Sequence, residues 1–193
     1  MRSLTVIIGI SWIIFWLYWI VSAFGSKKST GSNISHIKQF VGIRVILIVL
    51  VVILTPLFNR LPYSFKNHYL AATNNETVLV LGFIMFLLGL FVAVWARIYL
   101  GKNWGMPMTQ KQDPELVTSG PYRYIRHPIY SGILLMALGS AFDVNIYWLL
   151  VFIIAGFFFI YSAVAEEQLM MKQFPKVYPS YKRKTKMLIP FVL

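Results

Sequence analysis

The sequence predicts an all-α, polytopic membrane helix bundle with five transmembrane helices, the last two of which form a helical hairpin. Of the 193 residues, 58% are hydrophobic and only 12% are charged, whereas an ordinary soluble domain has about 25% charged residues. Long uncharged runs also alternate with short segments that hold most of the Lys and Arg residues. This alternation is typical of membrane-spanning helices joined by polar loops.

The first three spans follow from the uncharged runs. Residues 4–24 carry no charge and, as a helix, are long enough to cross the hydrocarbon core. This run is too long and too rich in bulky aromatic residues for the apolar part of a signal peptide, so we expect a true span. The second span is predicted at residues 40–58 and the third at residues 77–96, with the third stopping at Arg97.

The last long apolar run predicts the hairpin. Residues 129–165 carry one charge, Asp143, and are too many for a single crossing. Asp143-Val144-Asn145 is a turn signal near the middle, so we expect two helices with Asp143 in water at the tip. Small residues would let the two arms pack closely; they are Gly132, Ala137, Gly139, Ser140 and Ala141. The third span has a similar small face, formed by Gly82, Gly89 and Ala93.

The basic residues orient this arrangement. The net charge is +12, and the Lys and Arg residues lie between apolar runs rather than in one patch with aromatic residues. We therefore expect contact with membrane lipid and not with nucleic acid. With the C-terminus in the cytoplasm, thirteen basic residues face inward and three outward, a strong positive-inside bias. The basic run at residues 182–186 is interpreted as a lipid-surface patch.

We expect one integral membrane domain, residues 1–193. Within it, residues 1–76 would hold the two N-terminal spans, and residues 77–193 would hold the third span, a loop, the hairpin and the tail. No internal repeat of the kind found in many transporters is present. No oligomeric state is predicted.

The candidate site lies in the two polar segments of the predicted cytoplasmic face, residues 101–128 and 166–193. Pro128 is suited to the first position of a helix, which would place Arg126 and His127 beside a helix N-terminus that favours anions. Two adjacent carboxylates, Glu166 and Glu167, end the hairpin at the same membrane level and need cations as partners. The expected partners are Arg123, Arg126 and His127.

Other chemistries are disfavoured. The chain has no cysteine and three scattered histidines, so we expect no metal site. His36 and His68 are interpreted as solvated loop residues. A Gly-x-Gly-x-x-Gly motif is absent, so a Rossmann cofactor site is not expected.

Three motifs carry a resemblance to a known family. Leu116-Val117-Thr118-Ser119-Gly120-Pro121-Tyr122 is followed by Arg126-His127-Pro128-Ile129-Tyr130-Ser131-Gly132 and later by Glu166-Glu167. This pattern resembles the isoprenylcysteine carboxyl methyltransferase family, and the phospholipid methyltransferases share much of it. The resemblance covers about residues 100–190. Many prenylcysteine enzymes carry an arginine about one turn before the Glu pair, where this chain has Ser162.

The resemblance implies binding of S-adenosylmethionine and transfer of its methyl group to the carboxylate of a prenylcysteine-like or other lipidic acceptor, leaving S-adenosylhomocysteine. Arg126 and Glu167 are the candidate catalytic residues. Because a free α-carboxylate is ionised at neutral pH, no general base would be required, and Arg126 or Arg97 would orient it. The implied cofactor-binding residues are Gln110, Glu115, Leu116, Val117, Tyr122, His127, Pro128, Tyr130, Glu166, Glu167, Tyr178 and Tyr181.

Three alternatives remain open at this stage. A phospholipid amine N-methyltransferase would need a base, for which His127 or a glutamate would have to serve. An NADPH-dependent membrane reductase is the second, because sterol reductases also resemble the C-terminal pattern. The third is a helical membrane protein without enzymatic activity.

Overall fold

A computed structural model of the chain describes residues 2–23, 75–104, 115–144 and 147–189. The described part is helical, with one isolated bridge between Ile125 and Lys186 and no strand, which confirms the all-α prediction. Its helices are α1 (Arg2–Ala23), α2 (Glu76–Leu100), α3 (Pro128–Asp143), α4 (Tyr147–Gln173) and α5 (Tyr178–Lys184), with 3-10 turns at Gly101–Asn103 and Gly120–Arg123.

Three of these helices are long and apolar enough to cross a membrane, and their spans are Leu4–Ser22, Glu76–Asn103 and Tyr147–Gln173. The chain is therefore an integral membrane protein. Helix α3 is also apolar but has only 16 residues. It is about 24 Å long at 1.5 Å per residue, less than the roughly 30 Å of a hydrocarbon core. The second span predicted at residues 40–58 lies outside the described residues.

Helix α2 does not end at Arg97 as predicted but continues to Leu100. The Arg97 side chain turns into the bundle, where the residue is only 5% exposed. Its Nη1 donates to the Gly101 carbonyl at 2.9 Å and its Nη2 donates to the Ser22 carbonyl at 2.7 Å. The guanidinium also lies 4.7 Å from the centre of the Trp104 ring. Arg97 therefore joins the end of α1 to the end of α2 instead of marking a membrane boundary.

The glycines of α3 pack against α2 and not against the other hairpin arm, as was predicted for the small residues of this helix. A Cβ atom added to Gly89 would lie 2.6 Å from the Met136 backbone nitrogen, and one added to Gly139 would lie 2.6 Å from the Phe86 nitrogen. Such distances leave no room for a side chain, so glycine allows the two backbones to touch. The small face predicted on the third span is confirmed, since Gly82, Gly89 and Ala93 are all buried.

Helices α3 and α4 form the predicted hairpin, but Asp143 is not in water. Helix α3 ends at Asp143, and Asp143 is only 4% exposed. Its carboxylate accepts a hydrogen bond from the Thr5 hydroxyl at 3.3 Å. One turn earlier, Ser140 Oγ accepts a buried bond from the Trp12 ring N–H at 3.1 Å. The expectation for Asp143 was wrong because helix α1 covers this end of the hairpin.

The last long helix leads into a tail that folds back on the site. Helix α4 runs past Glu166 and Glu167 and ends at Gln173, just before Pro175, which cannot continue the hydrogen-bond pattern. Pro179 lies in the first turn of α5, where the missing N–H of proline is tolerated. After α5 the chain returns to residues 125–127.

Candidate active site

The N-terminus of α3 is framed by the returning tail. Pro128 is the first residue of this helix and His127 precedes it, as the sequence predicts, because the missing N–H of proline costs nothing there. The Arg126 N–H donates to the Lys186 carbonyl at 2.8 Å, and the His127 N–H donates to the Met187 carbonyl at 3.1 Å. The hydroxyl of Ser131 donates to the Leu188 carbonyl. These bonds fix the tail beside the residues that the sequence singled out.

Glu167 is the centre of a buried charge cluster. Its side chain is 3% exposed, and its Oε1 lies 2.6 Å from Arg126 Nε. Its Oε2 lies 2.7 Å from Lys182 Nζ, on the tail helix. A carboxylate in so dry a position requires such partners, because an unpaired buried charge is strongly destabilising. Both oxygens of Glu167 are therefore engaged by cations.

Arg126 connects this cluster to the backbone of the tail. Its Nη1 donates to the Lys182 carbonyl at 3.2 Å and also to the Thr185 carbonyl. Its side chain is 8% exposed. Among the described residues its Nη2 has no hydrogen-bond acceptor. Arg126 thus holds Glu167 through Nε and the tail through Nη1, and it retains Nη2 as a third donor.

Glu166 has a different environment from its neighbour. Its side chain is 23% exposed, and its Oε2 lies 3.4 Å from His127 Nδ1. Its other oxygen accepts a hydrogen bond from the Tyr130 hydroxyl. No cation of the tail bonds to it among the described residues, so Glu166 is the more accessible of the two carboxylates.

Aromatic rings line the site beside Glu166. The rings of His127 and Tyr130 stack at 5.5 Å, and those of Tyr130 and Phe159 stack at 4.5 Å. The electron-rich face of such rings attracts cations. The described site thus combines a partly exposed carboxylate with an aromatic wall.

His127 is held between both carboxylates. Burial lowers the pKa of its imidazole, but the adjacent Glu166 and Glu167 outweigh this effect and raise the pKa above its ordinary value. Its Nε2 is buried and lies 3.6 Å from Glu167 Oε1, too far for a good hydrogen bond. No acceptor for Nε2 is present in the described ranges.

A tyrosine of the tail, Tyr181, bonds to the 3-10 turn before α3. The Tyr181 hydroxyl donates to the Tyr122 carbonyl at 2.7 Å. Burial raises the pKa of Tyr181 to about 12, and it also raises the pKa values of Tyr122 and Tyr178. The three phenols are therefore neutral at physiological pH. Tyr122 and Tyr178 are buried, and the Tyr181 ring lies 5.8 Å from that of Tyr178.

The predicted loop residues are only partly brought to this cluster. Gln110 lies outside the described residues. Glu115 is exposed and accepts a bond from Asn103 at 3.1 Å. Leu116 and Val117 are half-buried, and Val117 packs against the group that contains Tyr122. The expected pairing of Arg123 with the glutamates was wrong, because Arg123 is exposed. Among the described residues, the ion-pair partners of the two glutamates are Arg126, His127 and Lys182.

The sequence interpretation missed Lys182, Thr185 and Phe159. Lys182 was assigned only to the lipid-surface patch, and no spacing rule links it to Glu167, because their contact depends on the fold-back after Gln173. Phe159 lies seven residues before Glu166 on one helix, and this two-turn spacing could have identified it as a residue of the same face.

Two comparisons with known proteins indicate the family of this chain. The family model for phospholipid methyltransferases matches residues 77–177, which is more than half of the chain and includes Arg126, His127, Glu166 and Glu167. A curated relative, the protein-S-isoprenylcysteine O-methyltransferase of Schizosaccharomyces pombe, is 29% identical over 116 residues, covering 58% of this chain and 48% of the relative.

The chain thus spans about half the length of the curated relative that it matches. Both comparisons point to methyltransferases, and the family match covers α2, α3 and α4 but ends before the tail helix that supplies Lys182. The chain belongs to the phospholipid methyltransferase family.

Proposed function

We propose that this protein is an S-adenosylmethionine-dependent methyltransferase that methylates the carboxylate of a prenylcysteine-like or other lipidic acceptor. The observation that carries the proposal is the buried cluster of Arg126, His127, Glu166 and Glu167 at the end of membrane helices. The similarity to the yeast protein-S-isoprenylcysteine O-methyltransferase supports the choice of acceptor.

The described residues fit the cofactor in two respects. The methyl donor is a cationic sulfonium, and Glu166 offers a partly exposed carboxylate beside the stacked rings of Tyr130 and Phe159. The buried Nε2 of His127 also has no acceptor among the described residues, which suits a polar ligand group. When bound, S-adenosylmethionine supplies an electrophilic methyl group.

In this proposal each residue of the cluster has a distinct part. Glu167 is fully engaged by Arg126 and Lys182, so it holds the guanidinium in place. Nη2 of Arg126 then donates to the acceptor carboxylate. Glu166, His127 and Tyr130 hold the cofactor, together with Tyr122, Pro128, Tyr178, Tyr181 and the loop residues Gln110, Glu115, Leu116 and Val117.

A carboxylate acceptor suits the protonation of the site. An ionised carboxylate is a nucleophile without loss of a proton, so alignment of the two reacting groups supplies the catalysis. Methylation of a phospholipid amine requires a base. His127 is poorly suited to that role, because its neighbouring carboxylates raise its pKa and favour the protonated form. Because the matching family model is that of phospholipid methyltransferases, a phospholipid amine is the second candidate acceptor.

Cofactor binding is the first test. S-adenosylhomocysteine is titrated calorimetrically into the detergent-purified protein, with Glu166→Gln as the variant and Glu76→Gln as the control, because Glu76 begins α2 at the first turn of another helix. We expect saturable binding that weakens in Glu166→Gln and is unchanged in the control. No binding by folded wild-type protein, together with saturable binding of NADPH, would favour the reductase instead.

The acceptor is tested with methyl-labelled S-adenosylmethionine. A prenylcysteine analogue with a free carboxylate is compared with the same analogue carrying an amide, and with phosphatidylethanolamine. We expect label only in the first, and in a form that alkali releases as methanol, because an ester hydrolyses and an N-methyl group does not. Alkali-stable label in phosphatidylethanolamine would instead identify the amine as the acceptor.

A further inference from the structure

A concave pocket with basic walls lies beside the charge cluster. Its volume is about 370 Å³, and its walls include Arg126, Lys182, Arg183, Lys184, Thr185 and Lys186. All the ionisable residues that line it are cationic. A pocket with walls of a single charge sign concentrates ions of the opposite sign, so its shape and charge both favour an anion.

The positive charge of this pocket is only partly neutralised by the protein. Arg126 and Lys182 share the carboxylate of Glu167. Arg183, Lys184 and Lys186 are exposed, and within the described residues none of them forms an ion pair. Like charges so close together repel one another. An anion placed between them would remove this repulsion.

The pocket is built on fixed backbone and is not a loose run of surface lysines. The Lys186 N–H donates to the Tyr124 carbonyl at 3.3 Å, and the Lys186 carbonyl accepts from the Arg126 N–H at 2.8 Å. On the other wall, the Lys182 carbonyl accepts from Arg126 Nη1 at 3.2 Å. Because the backbone is already in place, binding a ligand would order only the side chains.

The position of the pocket indicates a lipid. It adjoins Glu167 on α4, whose span ends at Gln173. Two large apolar side chains that lie close in sequence to residues of the pocket wall are exposed: Tyr124 is 54% exposed and Ile189 is 52% exposed. Basic segments beside a span bind anionic lipids, and each Lys or Arg contributes to the attraction.

We propose that this pocket binds the phosphate of an anionic phospholipid headgroup, at a site that adjoins the proposed methyl-transfer site and shares Arg126 with it. Arg183, Lys184 and Lys186 pair with the phosphate, while the exposed apolar side chains lie among the acyl chains. The proposal does not depend on methyltransferase activity, because the binding is measured without cofactor or acceptor.

The test compares lipids and matched variants by native mass spectrometry from neutral detergent. Phosphatidylglycerol and phosphatidylcholine of the same chain length are added, and the apparent Kd of each is measured. The pocket variant is Lys184→Gln/Lys186→Gln. The control, Lys172→Gln/Lys176→Gln, removes the same charge at the end of α4 and the start of the tail, at residues that do not line the pocket. Thermal unfolding in phosphatidylcholine verifies that both variants are folded.

We expect wild-type protein and control to prefer phosphatidylglycerol, with a preference that falls as salt is added. The affinity of the pocket variant for phosphatidylglycerol should be about thirtyfold lower. One basic residue near an anionic membrane increases affinity by about fivefold, and the variant removes two such residues. Equal losses in the pocket variant and the control would overturn the proposal and indicate nonspecific attraction. So would inorganic phosphate alone displacing the lipid at comparable concentrations, because the ligand would then be a free anion.

Discussion

The substitution Glu167→Gln removes the charge at the centre of the buried cluster while keeping the shape of the side chain. Arg126 would then remain 8% exposed without its carboxylate partner at 2.6 Å. Removing one partner of a buried ion pair costs about 3–5 kcal/mol. Lys182 adds little to this cost, because its side chain is 46% exposed and water screens its interaction.

We expect a loss near the lower end of this range, about 3 kcal/mol, since the glutamine oxygen still accepts a bond and Arg126 Nη1 keeps two carbonyl acceptors. For a chain of this size, about 1 kcal/mol corresponds to roughly 2–4 °C in Tm. The Tm measured by circular dichroism in detergent, at one scan rate, should therefore fall by about 6–12 °C.

Glu166→Gln is the matched control, because it makes the same chemical change one residue earlier. The Glu166 side chain is 23% exposed and is bonded by the neutral Tyr130 hydroxyl and by His127, so we expect a loss of about 1 kcal/mol. The double variant Arg126→Gln/Glu167→Gln should be less destabilised than the sum of its single variants. Equal Tm values for Glu167→Gln and Glu166→Gln, or strict additivity in the double variant, would refute the reasoning.

Two further predictions concern His127 and the helix crossing. The carboxylates raise the pKa of folded His127 above its ordinary value, so its contribution to stability is complete below the unfolded pKa, near 6.5, and disappears as pH rises through the folded pKa. The Tm should therefore fall as the pH rises above about 6.5, and His127→Gln should flatten that profile; an unchanged profile would contradict the assignment. Gly89→Ala should destabilise by about 1–3 kcal/mol through overpacking, since its Cβ would lie 2.6 Å from the Met136 nitrogen. Gly9→Ala, with nothing within 4 Å of its Cβ, should be neutral or stabilising by thermal unfolding.

The elements that the sequence predicted well are those determined by local chemistry. Apolar length alone located the spans of α1, α2 and α4, and the missing N–H of Pro128 located the start of α3. The turn after Asp143 followed from its residue types. Each of these signals lies within one continuous segment of the sequence. It can therefore be recognised without knowing which helices are in contact.

The errors concern features that depend on which helices touch. The sequence predicts that Asp143 is an exposed residue at the hairpin tip, but α1 supplies Thr5 as its hydrogen-bond donor. The glycines of α3 can serve either neighbour, and only the packing selects α2. Within the site, the Arg126–Glu167 pair was predictable because a buried carboxylate needs a cation. Lys182 was not, because the tail must first fold back.

The fold-back of the tail also explains why one arginine matters to two neighbouring sites. Arg126 holds Glu167 through Nε and the tail carbonyls of Lys182 and Thr185 through Nη1. The same guanidinium therefore forms a wall of the basic pocket and a side of the proposed methyl-transfer site. An arginine suits this position better than a lysine, because its planar group directs several fixed donors at once. A lysine at position 126 would keep the charge but lose the guanidinium bonds to the carbonyls of Lys182 and Thr185, so the shape of both sites depends on the guanidinium and not on the charge alone.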